Sequence, residues 1–248
     1  MNMSHSSSVL CVIALLSALT ACSKNDSTSA VSAAHPVAAG DATPSLAEAT
    51  STKGVEQAKL NALPKGDPAT PVSQYRTLTS DKDVMMTYYA MSSLPVDYDK
   101  VLLNYSQDYR STSDEFKKQD MQKALKPKID QEIANAKSSQ YIKMTWDQFR
   151  LDQYDFQTKA FPQHALTKDV NFGWGYDYRI EFSNGDDFTL LKVNDEAKAR
   201  IIEEKRSKGQ PLDLIIYAFA QESALDQHHV KAQILKVVLV DKNGTELF

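Results

Sequence analysis

Cysteine is scarce in this 248-residue chain, which contains only Cys11 and Cys22. Both lie before residue 23, so the rest of the chain has no thiol. A disulfide scaffold, cysteine catalysis and a cysteine-based metal site are therefore excluded there. A fold in that part of the chain must be stabilised by an ordinary hydrophobic core, and 42% of the residues are hydrophobic.

A basic segment is also lacking. The net charge of −4 comes from 28 basic and 32 acidic side chains that are well mixed. The densest lysine stretch, residues 114–137, has six lysines but five acidic residues, which is typical of a solvated helix face. Nucleic-acid binding needs a basic surface that displaces counterions, so we expect no nucleic-acid partner.

A hydrophobic run long enough to span a membrane is missing as well. The run from Val9 to Ala21 has thirteen mostly apolar residues. As a helix it would span about 20 Å, against about 30 Å for the hydrocarbon core of a bilayer. No polar face interrupts the run, which argues against an N-terminal core helix. It is instead typical of the hydrophobic region of a signal peptide.

The run ends in Leu19-Thr20-Ala21-Cys22, which resembles the lipobox of bacterial lipoproteins. The resemblance implies that the leader, residues 1–21, is removed and that the thiol of Cys22 carries the lipid that holds the protein to the membrane. Ser23, rather than Asp, follows the cysteine, and by the sorting pattern of that family this implies the outer membrane of a bacterial envelope. The sequence departs from the family pattern in one respect, because MNMSHSSS contains no Lys or Arg.

Aromatic residues are absent between the leader and Tyr75. Residues 22–69 are rich in Ala, Ser, Thr and Pro, and such a segment buries too little apolar surface to offset its ordering entropy. We therefore predict a flexible tether over 22–69, with a transient helix at Val55–Leu63, and a single domain over 70–248. A flexible coil of this length has a typical end-to-end distance of roughly 40 Å.

The domain opens with helical patterns. Ser80-Asp81-Lys82-Asp83 is typical of a helix start, and apolar residues at helical spacing follow until Pro95. A second pattern runs from Tyr98 to Tyr109. A third begins at Thr112-x-x-Glu115 and contains Pro127, which is predicted to kink or split the helix.

The period then changes to two, which predicts strands. Strands are expected at Ile142–Trp146, Leu212–Ala220 and Val230–Val240. A hairpin is expected around Asn184-Gly185, with Arg179–Phe182 and Phe188–Val193 as its two strands. A helix is expected from Asn194 or Asp195 to Lys208, and a turn at 243–244. This order predicts an α+β fold, in which N-terminal helices precede a mainly antiparallel sheet with one inserted helix.

A second resemblance covers residues 80–248. Tyr154-Asp155-Phe156, Phe161-Pro162, a later strand–helix–strand unit and the closing DKNGTEL are similar to some exported bacterial families of unknown function. This resemblance implies export and carries no activity.

Motifs for catalysis, cofactors and metals are missing. The chain has no G-x-S-x-G, no Ser-x-x-Lys and no glycine-rich phosphate loop. A triad assembled from scattered residues remains open, with His164 or His228 as its base. His228 and His229 would point to opposite faces of a strand, which disfavours joint metal binding. We expect no cofactor and no metal.

The most unusual stretch is Phe172–Tyr178, where two glycines flank Trp174. One interpretation is an irregular loop that presents an aromatic surface, with Trp174, Tyr176 and Asp177 as binding residues for a glycan or peptide. The other is that Trp174 folds back into the core, which the high average burial of tryptophan favours.

Two functional hypotheses follow. The first is an envelope lipoprotein whose domain binds or scaffolds an envelope protein or glycan and is not an enzyme. The second is an envelope hydrolase with a site assembled from scattered residues. A tight cleft in which His164 or His228 meets a serine and an acid would favour the hydrolase, and an aromatic-lined surface would favour binding.

Overall fold

The computed structural model describes residues 51–175, 177–224 and 228–248. The leader, Cys22, most of the predicted tether and Tyr176 lie outside these residues. In the part of the chain that is described, no helix combines the length and the apolar character needed to cross a membrane.

Every α-helix in the described ranges begins after a serine or aspartate whose side chain accepts a hydrogen bond from the first turn. This is the strongest local signal for a helix start. The helices are α1 (Thr52–Ala62), α2 (Asp81–Met91), α3 (Tyr98–Tyr105), α4 (Gln107–Ser111), α5 (Glu115–Ser138) and α6 (Glu196–Ser207). The N-cap residues are Ser51, Ser80, Asp97, Ser106, Asp114 and Asp195. Helix α5 continues through Pro127, so the predicted split does not occur.

The strands form a mixed sheet and a separate small ladder. They are β1 (Arg76–Thr77), β2 (Tyr141–Trp146), β3 (Ala160–Pro162), β4 (Asn171–Phe172), β5 (Arg179–Phe182), β6 (Leu190–Lys192), β7 (Leu212–Ala224) and β8 (His229–Asp241). The main sheet has the order β1-β2-β7-β8-β5-β4, and β3 pairs with β6. The β2–β7, β7–β8 and β4–β5 pairs are antiparallel, whereas β1–β2 and β5–β8 are parallel. The α+β class with a mainly antiparallel sheet is confirmed.

The main sheet is strongly curved. Strands β2 and β4 lie four positions apart in the order, which corresponds to about 19 Å in a flat sheet. Nevertheless the rings of Trp146, at the end of β2, and Phe172, at the end of β4, have centroids 5.2 Å apart. Curvature therefore brings two distant strands together, and their side chains meet without backbone pairing.

Helices cover one face of this curved sheet. Helix α2 contacts β5, β7 and β8, and it buries Val84, Met85 and Tyr88. Helix α5 contacts α2 and adds Ile129 and Ala136 to the same core. The core is therefore built between the sheet and a helical layer, as the sequence predicts.

The second face of the sheet carries a cluster of four aromatic residues, Tyr75, Tyr141, Tyr217 and Phe219. The ring centroid of Tyr75 lies 5.1 Å from that of Tyr217 and 5.4 Å from that of Tyr141, and the centroid of Tyr141 lies 5.1 Å from that of Phe219. The chain preceding β1 crosses this face. A β-carbon on Gly66 would lie 2.5 Å from the β-carbon of Phe219, so only glycine allows this close approach.

Residues within the predicted tether hydrogen-bond to the sheet at this place. The carbonyl of Pro64 accepts from Gln221 at 2.7 Å, and the N–H of Gly66 donates to Gln233 at 3.0 Å. Thus the last residues before position 70 contact the domain. Whether the remainder of 22–69 is a tether stays a prediction.

The predicted hairpin around Asn184-Gly185 is wrong. Strand β5 pairs with β8 and β4, whereas β6 pairs with β3. Asn184 has a φ of −119°, and its side chain bonds both the N–H and the carbonyl of Ile234. Asn-Gly here fastens a short 3-10 helix, Gly185–Phe188, to β8, so its local turn preference is overridden by tertiary contacts.

Candidate functional site

The meeting point of β2 and β4 forms an open gap of about 260 Å³, which we call the seam. Three of its residues, Thr145, Trp146 and Asp147, come from the end of β2. The other four come from β4 and the residues after it, and they are Asn171, Phe172, Gly173 and Trp174. The seam thus joins two segments that are distant in sequence and that only the curvature of the sheet brings together.

Three aromatic rings form the apolar part of the seam. Phe172 lies between the two tryptophans, with its centroid 5.2 Å from Trp146 and 5.0 Å from Trp174. The rings of Phe172 and Trp174 meet edge to face at 83°, a favourable arrangement for aromatic pairs. Phe172 is buried, whereas Trp174 is 41% exposed. A buried ring therefore supports an indole whose surface faces solvent.

The loop that carries Trp174 rests on the N-terminus of α2. Asp81 is the first residue of that helix, and its carboxylate lies against Gly175. Burial and the negative charge of Asp177 raise the pKa of Asp81, and the backbone N–H groups of Tyr178 and Gly175 act in the opposite direction. The carboxylate thus fixes where the chain leaves the seam.

A tyrosine cluster supports the other end of the same loop. Tyr178 is buried, and its hydroxyl lies 3.3 Å from that of Tyr89. The ring of His228 stacks on Tyr178 with centroids 5.1 Å apart, and Tyr88 meets His228 edge on. Burial raises the pKa of Tyr178, so its phenol stays neutral. These side chains hold the loop in place.

Of the residues predicted for this surface, the structure places Trp174 and Asp177 on the outside of the loop. Tyr176 lies outside the described residues. The interpretation of Trp174 as a core residue is wrong, because nearly half of the side chain is exposed. Its role in binding stays a prediction.

Neither His164 nor His228, the two residues proposed as the base of a hydrolase, is placed with both a serine and an acid in the described residues. His164 lies 3.3 Å from Asp152, but both side chains are largely exposed. His228 contacts tyrosine rings, and His229 lies 3.9 Å from Glu181. In the described ranges, neither His164 nor His228 has a serine among its hydrogen-bond partners, and no group of three His, Cys, Asp or Glu residues is arranged to hold a metal.

Sequence reasoning missed half of the seam. Trp146 fits the alternating pattern of a strand, which predicts a place in the sheet and no functional role, and no motif marks Asp147 or Asn171. A usable signal existed, since the chain has only two tryptophans and both line the seam. No local pattern, however, predicts that the end of β2 and the start of β4, which lie 25 residues apart in the sequence, will meet.

A second concave surface was also missed. Helix α6 and the segment before β3 enclose a groove of about 350 Å³. Phe156 stands beside it and is 76% exposed, with its ring edge on to Tyr154. The acids along this groove are paired within α6, because Glu196 bonds Arg200, Glu203 bonds Arg206 and Glu204 bonds Lys208. The groove therefore offers mainly apolar contact.

No protein-family model matches the chain, and neither a curated protein nor a solved structure is significantly similar to it.

Proposed function

We propose that this chain is a bacterial envelope lipoprotein, anchored through lipidated Cys22 in the outer membrane, whose domain binds a ligand of the envelope at the seam and is not an enzyme. The single observation that carries the binding role is the exposed indole of Trp174 on the buried ring of Phe172. The lipobox residues Leu19 to Cys22 support the anchoring.

Binding explains the seam better than folding does. A large apolar ring that faces solvent contributes little to the stability of the fold, yet contacts on both sides of the loop hold this ring in place. Asp81 supports the loop on one side, and Tyr178 with His228 supports it on the other. A rigidly held aromatic side chain loses little entropy when a ligand covers it, which is the usual reason for finding such residues in binding sites.

Retention on isolated cell-wall material tests the binding role. We expect Trp174→Ala, in the full chain extracted in detergent, to weaken retention about tenfold or more. The thermal midpoint should change little, because Trp174 is partly exposed. The matched control is Phe116→Ala, since Phe116 is 84% exposed and lies on α5. Equal retention of the Trp174 variant and the wild type, or loss in both variants, contradicts the proposal.

Mass spectrometry of the membrane-extracted protein tests the anchoring separately. We expect an acylated N-terminal Cys22, and we expect Cys22→Ala to be released from the membrane or left unprocessed. The control is Cys11→Ala, which leaves the lipobox unchanged. An intact Met1, or a cleaved but unmodified N-terminus, contradicts the anchoring and leaves the binding test unaffected.

A further inference from the structure

We infer that the seam binds one ring of a neutral saccharide, stacked on the indole of Trp174. This inference rests on the proposed binding function and names the class of ligand. It is argued from the size of the gap, its aromatic wall, the polar groups at its rim and its charge.

The size of the gap fits a single ring. Pockets that enclose a whole drug-sized ligand measure about 300–1,000 Å³. The seam, at about 260 Å³, lies below that range and is open. One ring can therefore enter while the rest of the ligand stays outside, as for the terminal unit of an oligosaccharide.

The aromatic wall suits the apolar side of a sugar ring. Trp174 offers a partly exposed indole, and Phe172 beneath it prevents the indole from collapsing into the gap. An indole combines an apolar ring with one N–H donor, which is the combination that amphipathic ligands require. Both tryptophans of the chain, Trp146 and Trp174, line the gap.

The polar rim matches hydroxyl groups. Thr145, Asp147 and Asn171 are the polar residues that line the gap. Alternation along β2 and β4 turns the side chains of Thr145 and Asn171 to the face of the sheet opposite Trp146 and Phe172. Asp147 and Asn171 are exposed, and within the described ranges none of these three side chains hydrogen-bonds to another protein group. Sugar hydroxyls both donate and accept, so the exposed carboxylate of Asp147 can bind a hydroxyl of the ligand.

Charge at the seam favours a neutral ligand over an anionic one. Asp147 is the only ionisable side chain among the seven described residues that line the gap. Arg179 lies beside Gly173 but is not among the residues that line the gap. A carboxylate or phosphate on the ligand would meet the charge of Asp147 without a dedicated cation.

A proline-rich peptide is the main competing ligand for an aromatic surface. Such a peptide is extended, with about 9 Å per turn, and it needs a groove that continues over several residues. The seam is a single gap of about 260 Å³ lined by two short segments, and in the described part of the chain it does not continue as a groove along several residues. These features favour the saccharide.

Intrinsic fluorescence provides a direct readout, because both tryptophans of the chain lie at the seam. The full chain, in a detergent without a sugar headgroup, is titrated with an N-acetylglucosamine trimer, with trigalacturonate and with a proline decamer. We expect a saturable change with the neutral trimer only. Trp174→Phe should lose most of the change, and Trp146→Phe should keep the part that reports on Trp174.

Variants of the rim complete the test. Asp147→Ala should weaken binding of the neutral trimer about tenfold or more, as expected for losing a hydrogen bond to a charged group. Asp120→Ala, at an exposed position on α5, is the matched control and should bind like the wild type. Equal weakening in both variants overturns the inference.

The outcome separates this inference from the proposed function. Response only to trigalacturonate, only to the proline decamer, or to none of the three overturns the saccharide inference. If retention on cell-wall material still depends on Trp174 in that case, the binding function stands and the ligand is of another class. If retention does not depend on Trp174, the proposed function fails as well.

Discussion

The carboxylate of Asp81 fills the space that a side chain at position 175 would need. A β-carbon on Gly175 would lie 2.5 Å from Cγ of Asp81 and 2.7 Å from each carboxylate oxygen. Asp81 is fixed by its place in the first turn of α2, after the N-cap Ser80. The loop that carries Trp174 is therefore positioned by direct contact with a helix N-terminus.

This contact predicts a coupling between the two positions. Gly175→Ala should lower the free energy of unfolding by about 1–3 kcal/mol, since the loop or the carboxylate must move. In an Asp81→Ala background the same substitution should cost clearly less, because the obstructing group is gone. A double-mutant cycle measured by denaturant unfolding checks this. Additive effects of the two substitutions contradict the predicted contact.

Substitution of Gly185 should lower the free energy of unfolding by more than substitution of Gly175. A β-carbon there would lie 1.8 Å from the carbonyl oxygen of Leu166, and that backbone is held because Leu166 donates to the buried side chain of Gln163. Gly185→Ala should therefore cost about 3 kcal/mol. Gly209→Ala is the matched control, because Gly209 has a φ of +64° but open space around it. It should cost about 1 kcal/mol, from backbone strain alone. Equal costs in denaturant unfolding would show that the close approach is absent.

The hydrogen bonds of the Asp241 carboxylate predict that the stability of the fold depends on pH. Its carboxylate accepts from Lys205 at 3.1 Å and from the backbone N–H groups of Asn243 and Thr245. Lys205 first, then these N–H groups, lower the pKa of Asp241 from 3.8 to about 2. Since the pKa is lower in the folded state, the stabilisation is complete above the unfolded value and is lost as the pH falls from 3.8 towards about 2.

Thermal midpoints of Asp241→Asn and the wild type, measured between about pH 7 and pH 3, check this. The variant should be less stable at neutral pH, and the difference should shrink as the pH falls below 4. Lys205→Met should also reduce the pH dependence, because it removes the largest contribution to the pKa shift. A difference that stays constant over this range contradicts the assignment.

The N-terminal edge of the domain is open to limited proteolysis. Helix α1 buries none of its residues, whereas Pro64 and Gly66 hydrogen-bond to β7 and β8. We expect cleavage within α1 and a protected fragment that begins near Pro64, earlier than the boundary at residue 70 predicted from composition. Mass spectrometry of the fragments gives the boundary.

Gln233→Ala provides the control, since it removes the acceptor for the N–H of Gly66. In that variant, cleavage should extend towards residue 70. Rapid cleavage of the wild type between residues 64 and 75 would show that these hydrogen bonds do not protect the segment.

Several helix starts and the two longest strands could be predicted from the sequence, whereas the single helical pattern predicted from Tyr98 to Tyr109 is divided at Ser106 into α3 and α4. Ser80, Asp97 and Asp195 each cap a helix that begins at the expected place, because a cap acts over three residues. Strand β7 has a long apolar run that is buried on both faces, as its central position requires, whereas β8 alternates between buried and partly buried residues over its first half. The turn at Gly244 was also predictable, since its φ of +77° favours glycine.

Only the tertiary structure decided which segments meet. Asn184-Gly185 has the local pattern of a hairpin, but long-range hydrogen bonds to Ile234 and the close approach to Leu166 give it another role. Trp146 has the pattern of an ordinary strand residue and Trp174 that of an irregular loop, and they share a site because the sheet curves. The sequence by itself determined where helices begin and where the long strands lie, because these features depend on residues that are neighbours along the chain. The seam depends on contacts between distant segments, and these exist only once the sheet has formed.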